Sequence, residues 1–271
     1  MRHHARFPLM RSLLALLLAS ALAPPLRAAP ATTDLPSAFG GTVRVWHDAP
    51  ANPWATVILF AGGEGKLGLG TDTGIRTLGG NFLVRTRQSW LAQGLAVIIP
   101  DAPDSVSALR DERARPEHAA DIAAMVRLAR QLHPAAPVWL VGTSNGSISA
   151  ANGAAALSAG PRGQLAGLVL TSSVSRRARQ GQQSATVLSI PLGAIAVPTL
   201  VVAHQHDECA NSPPDEALRI RAMLTAAPRT DLVLVDGGLP ATSAPCEARA
   251  AHGFLGIEND VIARITTWMR R

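Results

Sequence analysis

C-x-x-C pairs and zinc-finger spacing are both absent from this sequence, and only two of its 271 residues are cysteine, Cys209 and Cys246. A thiolate metal centre or a dithiol redox motif is therefore excluded. The G-x-x-x-x-G-K-[ST] pattern is missing as well, so there is no P-loop to cradle phosphates. No basic stripe interleaved with aromatics runs along the chain, which argues against nucleic acid as a partner. There is no internal repeat and, beyond an alanine bias, no low-complexity tract. Charged residues are sparse at 16%, against 47% hydrophobic, and this balance rules out both disorder and a fibrous repeat. After the first thirty positions no segment reaches the roughly 18 uncharged apolar residues that a membrane-spanning helix needs.

The N-terminus carries a different signal. Arg2, His3, His4, Arg6 and Arg11 form a basic stretch, and an apolar run from Ser12 to Ala23 follows, too short to span a bilayer. Small residues then stand at Ala28 and Ala29. This is the pattern of a secretory signal peptide over residues 1–28, with cleavage after Ala28 favoured because Pro24 would obstruct a cut after Ala23. Four arginines and no acid leave with it, so 25 basic side chains become 21, against 19 acidic ones. The mature chain, residues 29–271, is then nearly neutral, and the high isoelectric point says little about partners. A periplasmic or secreted protein without a stable membrane anchor is expected. In such a compartment an even pair of cysteines is a disulfide candidate.

Along the mature chain, strand-like and helix-like pieces alternate. Such alternation implies one α/β domain, a mostly parallel sheet with helices on both faces. Thr42–Trp46 reads as an edge strand. Short apolar runs at Thr56–Phe60, Leu95–Ile99, Val138–Val141, Gly167–Leu170, Thr199–Ala203 and Leu232–Val235 read as further strands. Residues 81–93 read as one helix with Leu83 and Trp90 on a shared face, and Pro116 opens another. A last helix carries Val261, Ile262, Ile265, Trp268 and Met269 on one side, with Glu258 and Asp260 near its positive end.

The strongest local pattern is Gly142-Thr143-Ser144-Asn145-Gly146, a G-x-S-x-G placed between a buried strand and a helix of small residues. A serine on such a tight turn projects its hydroxyl at the N-terminus of the helix, where developing negative charge is favoured. A hydroxyl is a poor nucleophile near neutral pH, so it needs a base, and the base needs an acid to orient it. The strand–turn–helix setting resembles the nucleophile elbow of α/β-hydrolases, in which the acid and then the histidine follow the serine along the chain. Of His204, His206 and His252, only His252 lies beyond the last strand, just ahead of the final helix. For the acid after Thr199–Ala203, Asp207 is the choice and Glu208 the near rival. A metal reading of His204, His206 and Asp207 lacks a third histidine or a fixed spacing. Oxyanion donors are expected from the N–H of Asn145 and, in the loop Ala61-Gly62-Gly63-Glu64-Gly65, from that of Gly63.

Together these features resemble the α/β-hydrolase superfamily over roughly residues 40–270. Within it the chain looks like secreted bacterial serine hydrolases of unassigned substrate, which share the run Gly80-Asn81-Phe82-Leu83-Val84-Arg85 and the segment His252-Gly253-Phe254-Leu255-Gly256. The glycine loop lacks the histidine of the lipase-type His-Gly-Gly-Gly pattern. Residues 171–198 are too few for a large cap. Arg176, Arg177 and Arg179, and likewise Arg85 and Arg87, could meet an anionic substrate group, but a solvated basic surface is the favoured reading.

The resemblance implies an acyl-enzyme mechanism that needs no cofactor or metal, acting on a small-molecule ester. Amides, thioesters and lactones stay open, as do a serine peptidase and a non-catalytic binding protein on the same fold. If Asp207 and His252 pair, the loops bearing Cys209 and Cys246 become neighbours, and a disulfide between them is expected.

Overall fold

The structure, a computed structural model, describes Met1 and residues 29–160, 163–177 and 185–271. The signal peptide expected over residues 1–28 lies, apart from Met1, outside the described residues, and so does Arg179. In chain order the elements are β1 (Ala31–Pro36), β2 (Thr42–Asp48), β3 (Ala55–Phe60), α1 (Phe82–Arg85), α2 (Arg87–Ala92) and β4 (Leu95–Pro100). They continue with α3 (Pro116–Leu132), β5 (Val138–Thr143), α4 (Gly146–Ser158), β6 (Gly167–Thr171), β7 (Thr199–His204), α5 (Glu216–Met223), β8 (Thr230–Val235) and α6 (Glu258–Met269).

All eight strands join one sheet in the order β1-β2-β4-β3-β5-β6-β7-β8. The first two pairings, β1 with β2 and β2 with β4, are antiparallel, and the rest are parallel. Parallel strands buried on both faces need apolar side chains in both directions, and β3 supplies them. Its Ile58 and Phe60 pack into a core with Ile122 of α3 and Ile148 of α4, while Val57 and Leu59 face Trp90 of α2 and Ile262 of α6 on the other side. The result is three layers, helix–sheet–helix.

Two sequence expectations need correction. Thr42–Trp46 is not the edge of the sheet, because β1 pairs outside it. That strand escapes the sequence pattern because it is short, carries Thr32, Thr33 and Asp34, and ends in a proline, all of which an outer strand tolerates. The helix expected over residues 81–93 is broken into α1 and α2 at Thr86. The Thr86 hydroxyl donates to the carbonyl of Phe82 at 2.7 Å and accepts from Trp90 Nε1 at 3.2 Å, offering the backbone an alternative to a continuous helical ladder. Leu83 and Trp90 are nonetheless both fully buried in one core. The five apolar residues expected on the last helix are the buried face of α6.

Strand order also fixes where a site can form. The chain passes from β3 outward to β4 and then returns across β3 to β5. Helices therefore leave β3 and β5 toward opposite faces, and a crevice opens between the carboxyl ends of these two neighbours. The glycine loop follows β3 and the elbow follows β5.

Candidate active site

Ser144 takes the left-handed conformation, with φ of +53°, between β5 and α4. Such a φ costs a non-glycine residue roughly 1–2 kcal/mol and persists only where neighbours over-determine it. Here the Ser144 N–H donates to Thr171 O of β6 at 3.0 Å, and its carbonyl accepts from the Ser147 hydroxyl at 2.7 Å. The glycines of the motif answer to close approach. A Cβ on Gly146 would lie 2.0 Å from Phe60 O, and one on Gly142 would lie 2.3 Å from Gly146 O. The turn closes only because both side chains are missing.

The loop after β3 is clamped to the elbow. Gly63 has φ of +59°, and its carbonyl accepts from Asn145 Nδ2 at 3.1 Å. Neither the Gly63 N–H nor the Asn145 N–H is engaged within the described residues, so both are available to a ligand oxygen.

His252 stands in a 3-10 turn, Ala251–Gly253, ahead of α6. Its Nδ1 lies 2.8 Å from Asp207 Oδ2, and the two side chains are only 5% and 1% exposed. The other carboxylate oxygen of Asp207 accepts from Cys209 N–H at 2.9 Å. Glu208, the rival acid, is exposed. Ser172, another left-handed residue, donates its hydroxyl to His252 O at 2.8 Å and so fixes His252 from its backbone. His252 Nε2 is buried and makes no hydrogen bond among the described residues, so the Ser144–His252 bond is not formed here. Catalytic contacts of this type often tighten only when substrate arrives. Ser144, His252, Gly63, Asn81, Phe82 and Arg249 are among the residues lining one cleft of about 390 Å³.

The expected disulfide is present: Cys209 Sγ is bonded to Cys246 Sγ, with the Cα atoms 4.5 Å apart. It joins the segment after β7 to the wall of the cleft, which Cys246 lines. Asp207, Cys209 and His252 have ligand atoms within 4.8 Å of one another, but the donor set suits no metal, because the sulfur is consumed by the disulfide and the imidazole is paired with the carboxylate. His204 and His206 take no part. The former spans from Gly237 O, 2.9 Å from Nε2, to His206 N–H, 3.1 Å from Nδ1, and the latter pairs with Asp236 at 3.2 Å.

Three of the arginines raised by the sequence, Arg85, Arg87 and Arg176, have protein partners. Arg176 pairs with Asp215 and Glu216 at 3.2 and 3.4 Å, and Arg177 is exposed. Arg85 holds Glu258 of α6 at 2.8 Å and the carbonyls of Gly80 and Gly253 at 2.6 Å each, bracing the loop that carries His252. Arg87 donates to Val84 O at 3.0 Å and lies over the ring of Trp46.

Sequence reasoning missed Arg85 as a brace, and it missed Ser172, Asn81 and Arg113. Single polar residues without a motif carry no sequence signal for such roles. Asn81 did lie inside a noted run, and its Oδ1 caps α1 by accepting from Leu83 N–H at 3.1 Å.

No family model matches the chain, and no curated protein does. Among solved structures, it is similar to an α/β serine hydrolase without a lid from Xanthomonas campestris (17% identity, 90% of this chain and 98% of that one, TM-score 0.57). An esterase from Pyrococcus furiosus aligns at 12% identity over 90% of this chain and 91% of its own, with a TM-score of 0.64. A putative dienelactone hydrolase from Klebsiella pneumoniae aligns at 17% identity over 90% and 100%, with a TM-score of 0.56. Three covered layers, a strained strand–helix turn at the switch point and these neighbours lead to one conclusion: the chain has the α/β-hydrolase fold, as a single mostly parallel sheet with helices on both faces and, among the described residues, no cap domain.

Proposed function

We propose that the protein is a serine hydrolase that cleaves small carboxylic esters through an acyl-enzyme on Ser144. The observation that carries this reading is the buried Asp207–His252 pair, 2.8 Å apart, opening through His252 onto the cleft where the strained Ser144 also lies. Asp207 holds the Nδ1–H tautomer, which leaves Nε2 as the acceptor. The Ser144 hydroxyl attacks the acyl carbon while Nε2 takes its proton. The carbonyl oxygen becomes an oxyanion and is met by the N–H groups of Asn145 and Gly63. His252 then protonates the departing alcohol, and a water repeats the sequence to release the acid.

An ester is favoured over an amide because an alkoxide leaving group needs less activation than an amine. Two structural neighbours, an esterase and a putative dienelactone hydrolase, agree with ester or lactone chemistry. Export is part of the proposal. The basic and apolar leader over residues 1–28 and the Cys209–Cys246 bond support it, and no helix among the described residues is long and apolar enough to cross a membrane.

The decisive test assays p-nitrophenyl esters against peptide anilides and adds a fluorophosphonate reagent. Ester turnover, one labelled serine, and loss of both in Ser144→Ala are expected, while Asp207→Asn and His252→Ala each lose several powers of ten in kcat. Labelling at another serine, or full activity in Ser144→Ala, overturns the assignment. Faster cleavage of anilides would favour a peptidase instead.

A further inference from the structure

Beneath the glycine loop lies a charge that the proposed reaction leaves unused. Arg113, in a 3-10 turn at Asp111–Ala114, is 1% exposed. Its hydrogen bonds all go to neutral oxygens. Nη1 donates to the Ser149 hydroxyl of α4 at 2.7 Å, and Nη2 donates to Ala61 O at 3.0 Å and Gly63 O at 3.3 Å. No carboxylate pairs with it among the described residues, and burial pulls it down to about 9, which still leaves it charged at neutral pH. The Ser149 hydroxyl also meets His118 Nε2 at 2.8 Å, so the guanidinium is held from behind by a second buried group.

A buried guanidinium without a partner is far costlier than an apolar side chain of similar size. What it holds here is the backbone of the oxyanion loop. The carbonyls of three successive residues are all engaged: Ala61 by Arg113, Gly62 by Gly65 N–H at 3.3 Å, and Gly63 by both Arg113 and Asn145 Nδ2. Peptide planes anchored in this way cannot flip, and the Gly63 N–H stays free for substrate.

The geometry points to Arg113 as a positioning residue that locks the Ala61–Gly63 loop against the elbow and sets a buried positive charge behind the oxygen that becomes negative. This inference rests on the ester-hydrolase reading above. Charge preorganised in a water-poor site acts more strongly than it would in water and needs no rearrangement as the reaction proceeds. Ser149 orients the guanidinium. Burial, with the charge of Arg113 beside it, keeps His118 neutral, so the imidazole adds no competing positive charge.

A purely structural plug would behave differently, and kinetics on the full-length chain separate the two. Arg113→Gln, Arg113→Lys and Ser149→Ala are compared for kcat and KM on p-nitrophenyl acetate. Active sites are counted by fluorophosphonate titration, and melting temperature is followed alongside. Phenylboronic acid, whose boron bonds the serine oxygen to give a tetrahedral anion as His252 takes the proton, reports affinity for the transition state.

Arg113→Gln is expected to lower kcat per titrated site roughly ten- to a hundredfold, with KM within about twofold, and to weaken the boronate by a similar factor. Arg113→Lys should recover part of that loss, and Ser149→Ala should show a smaller drop of the same kind. If Arg113→Gln does not fold, the other two variants carry the test. The inference is overturned if every folded variant keeps kcat per site and boronate affinity within about twofold of the wild type. A wild type that neither turns over nor labels would instead sink the ester-hydrolase reading itself.

Discussion

Burial decides between neighbouring carboxylates at the residue scale. Asp207 and Glu208 are adjacent after β7, and either could in principle face a histidine. The backbone turns Asp207 inward, where Cys209 N–H and His252 use both of its oxygens, and leaves Glu208 exposed. Asp207→Asn is therefore expected to be severe and Glu208→Gln nearly silent in kcat, and a reversal would transfer the role. A second residue-scale effect concerns pH. Burial, with the charge of Arg113 beside it, holds His118 down at about 3, against 6.5 for a free imidazole. Between those values the unfolded chain binds a proton that the folded chain refuses, so stability is full above about pH 6.5 and falls as pH drops through the window. The loss between pH 7 and pH 4 is on the order of 3 kcal/mol. Thermal melts across this range should show it, and His118→Gln should flatten the curve; an unchanged slope would refute the assignment.

Elements carry the next effects. The elbow works because β5 can run straight into α4 against the backbone of β3. Gly146→Ala forces a Cβ onto Phe60 O, a rigid backbone atom, and is expected to cost about 3 kcal/mol or more in melts, with activity lost alongside. Arg85 links α1 to the loop of His252 and to α6 through Glu258, with both side chains about one-fifth exposed. Arg85→Met leaves two carbonyls and one oxygen of the Glu258 carboxylate without their donor and is expected to cost about 2–3 kcal/mol. A melting temperature equal to the wild type would show that the brace is redundant. Periodicity revealed α3 and α6 because each buries a clear stripe. It missed α5, where only Ala217 and Ile220 are buried and Leu218 faces solvent. It also joined α1 to α2, because spacing of apolar residues does not report a threonine hydroxyl that competes for a carbonyl.

For the whole molecule, the disulfide is the one covalent link between distant parts. It closes a loop across 37 positions, between a buried cysteine after β7 and an exposed one on the cleft wall. In the chain-entropy account a loop of this size contributes roughly 3–4 kcal/mol. Alkylation of the purified protein under denaturing, non-reducing conditions should modify neither cysteine. Reduction should lower melting temperature and kcat together, since the segments carrying Asp207 and His252 lose their tether. Two alkylated thiols in the untreated protein would refute the link.

Legible from residues alone were the layered α/β class, seven of the eight strands, the G-x-S-x-G turn, and the order in which Ser144, Asp207 and His252 follow one another. These are local or sequential properties: hydrophobic period, turn chemistry, position along the chain. Asp207 ahead of Glu208 and a bond between Cys209 and Cys246 were also expected, from chain order and loop proximity, and the fold buries that carboxylate and forms that link. Folded coordinates were needed for the protein partners of Arg85 and Arg176 and for the unpaired guanidinium of Arg113 behind the glycine loop. Each of these depends on which side chains meet across dozens of positions. Sheet order sets those meetings: β3 and β5 become neighbours only because the chain doubles back past β4.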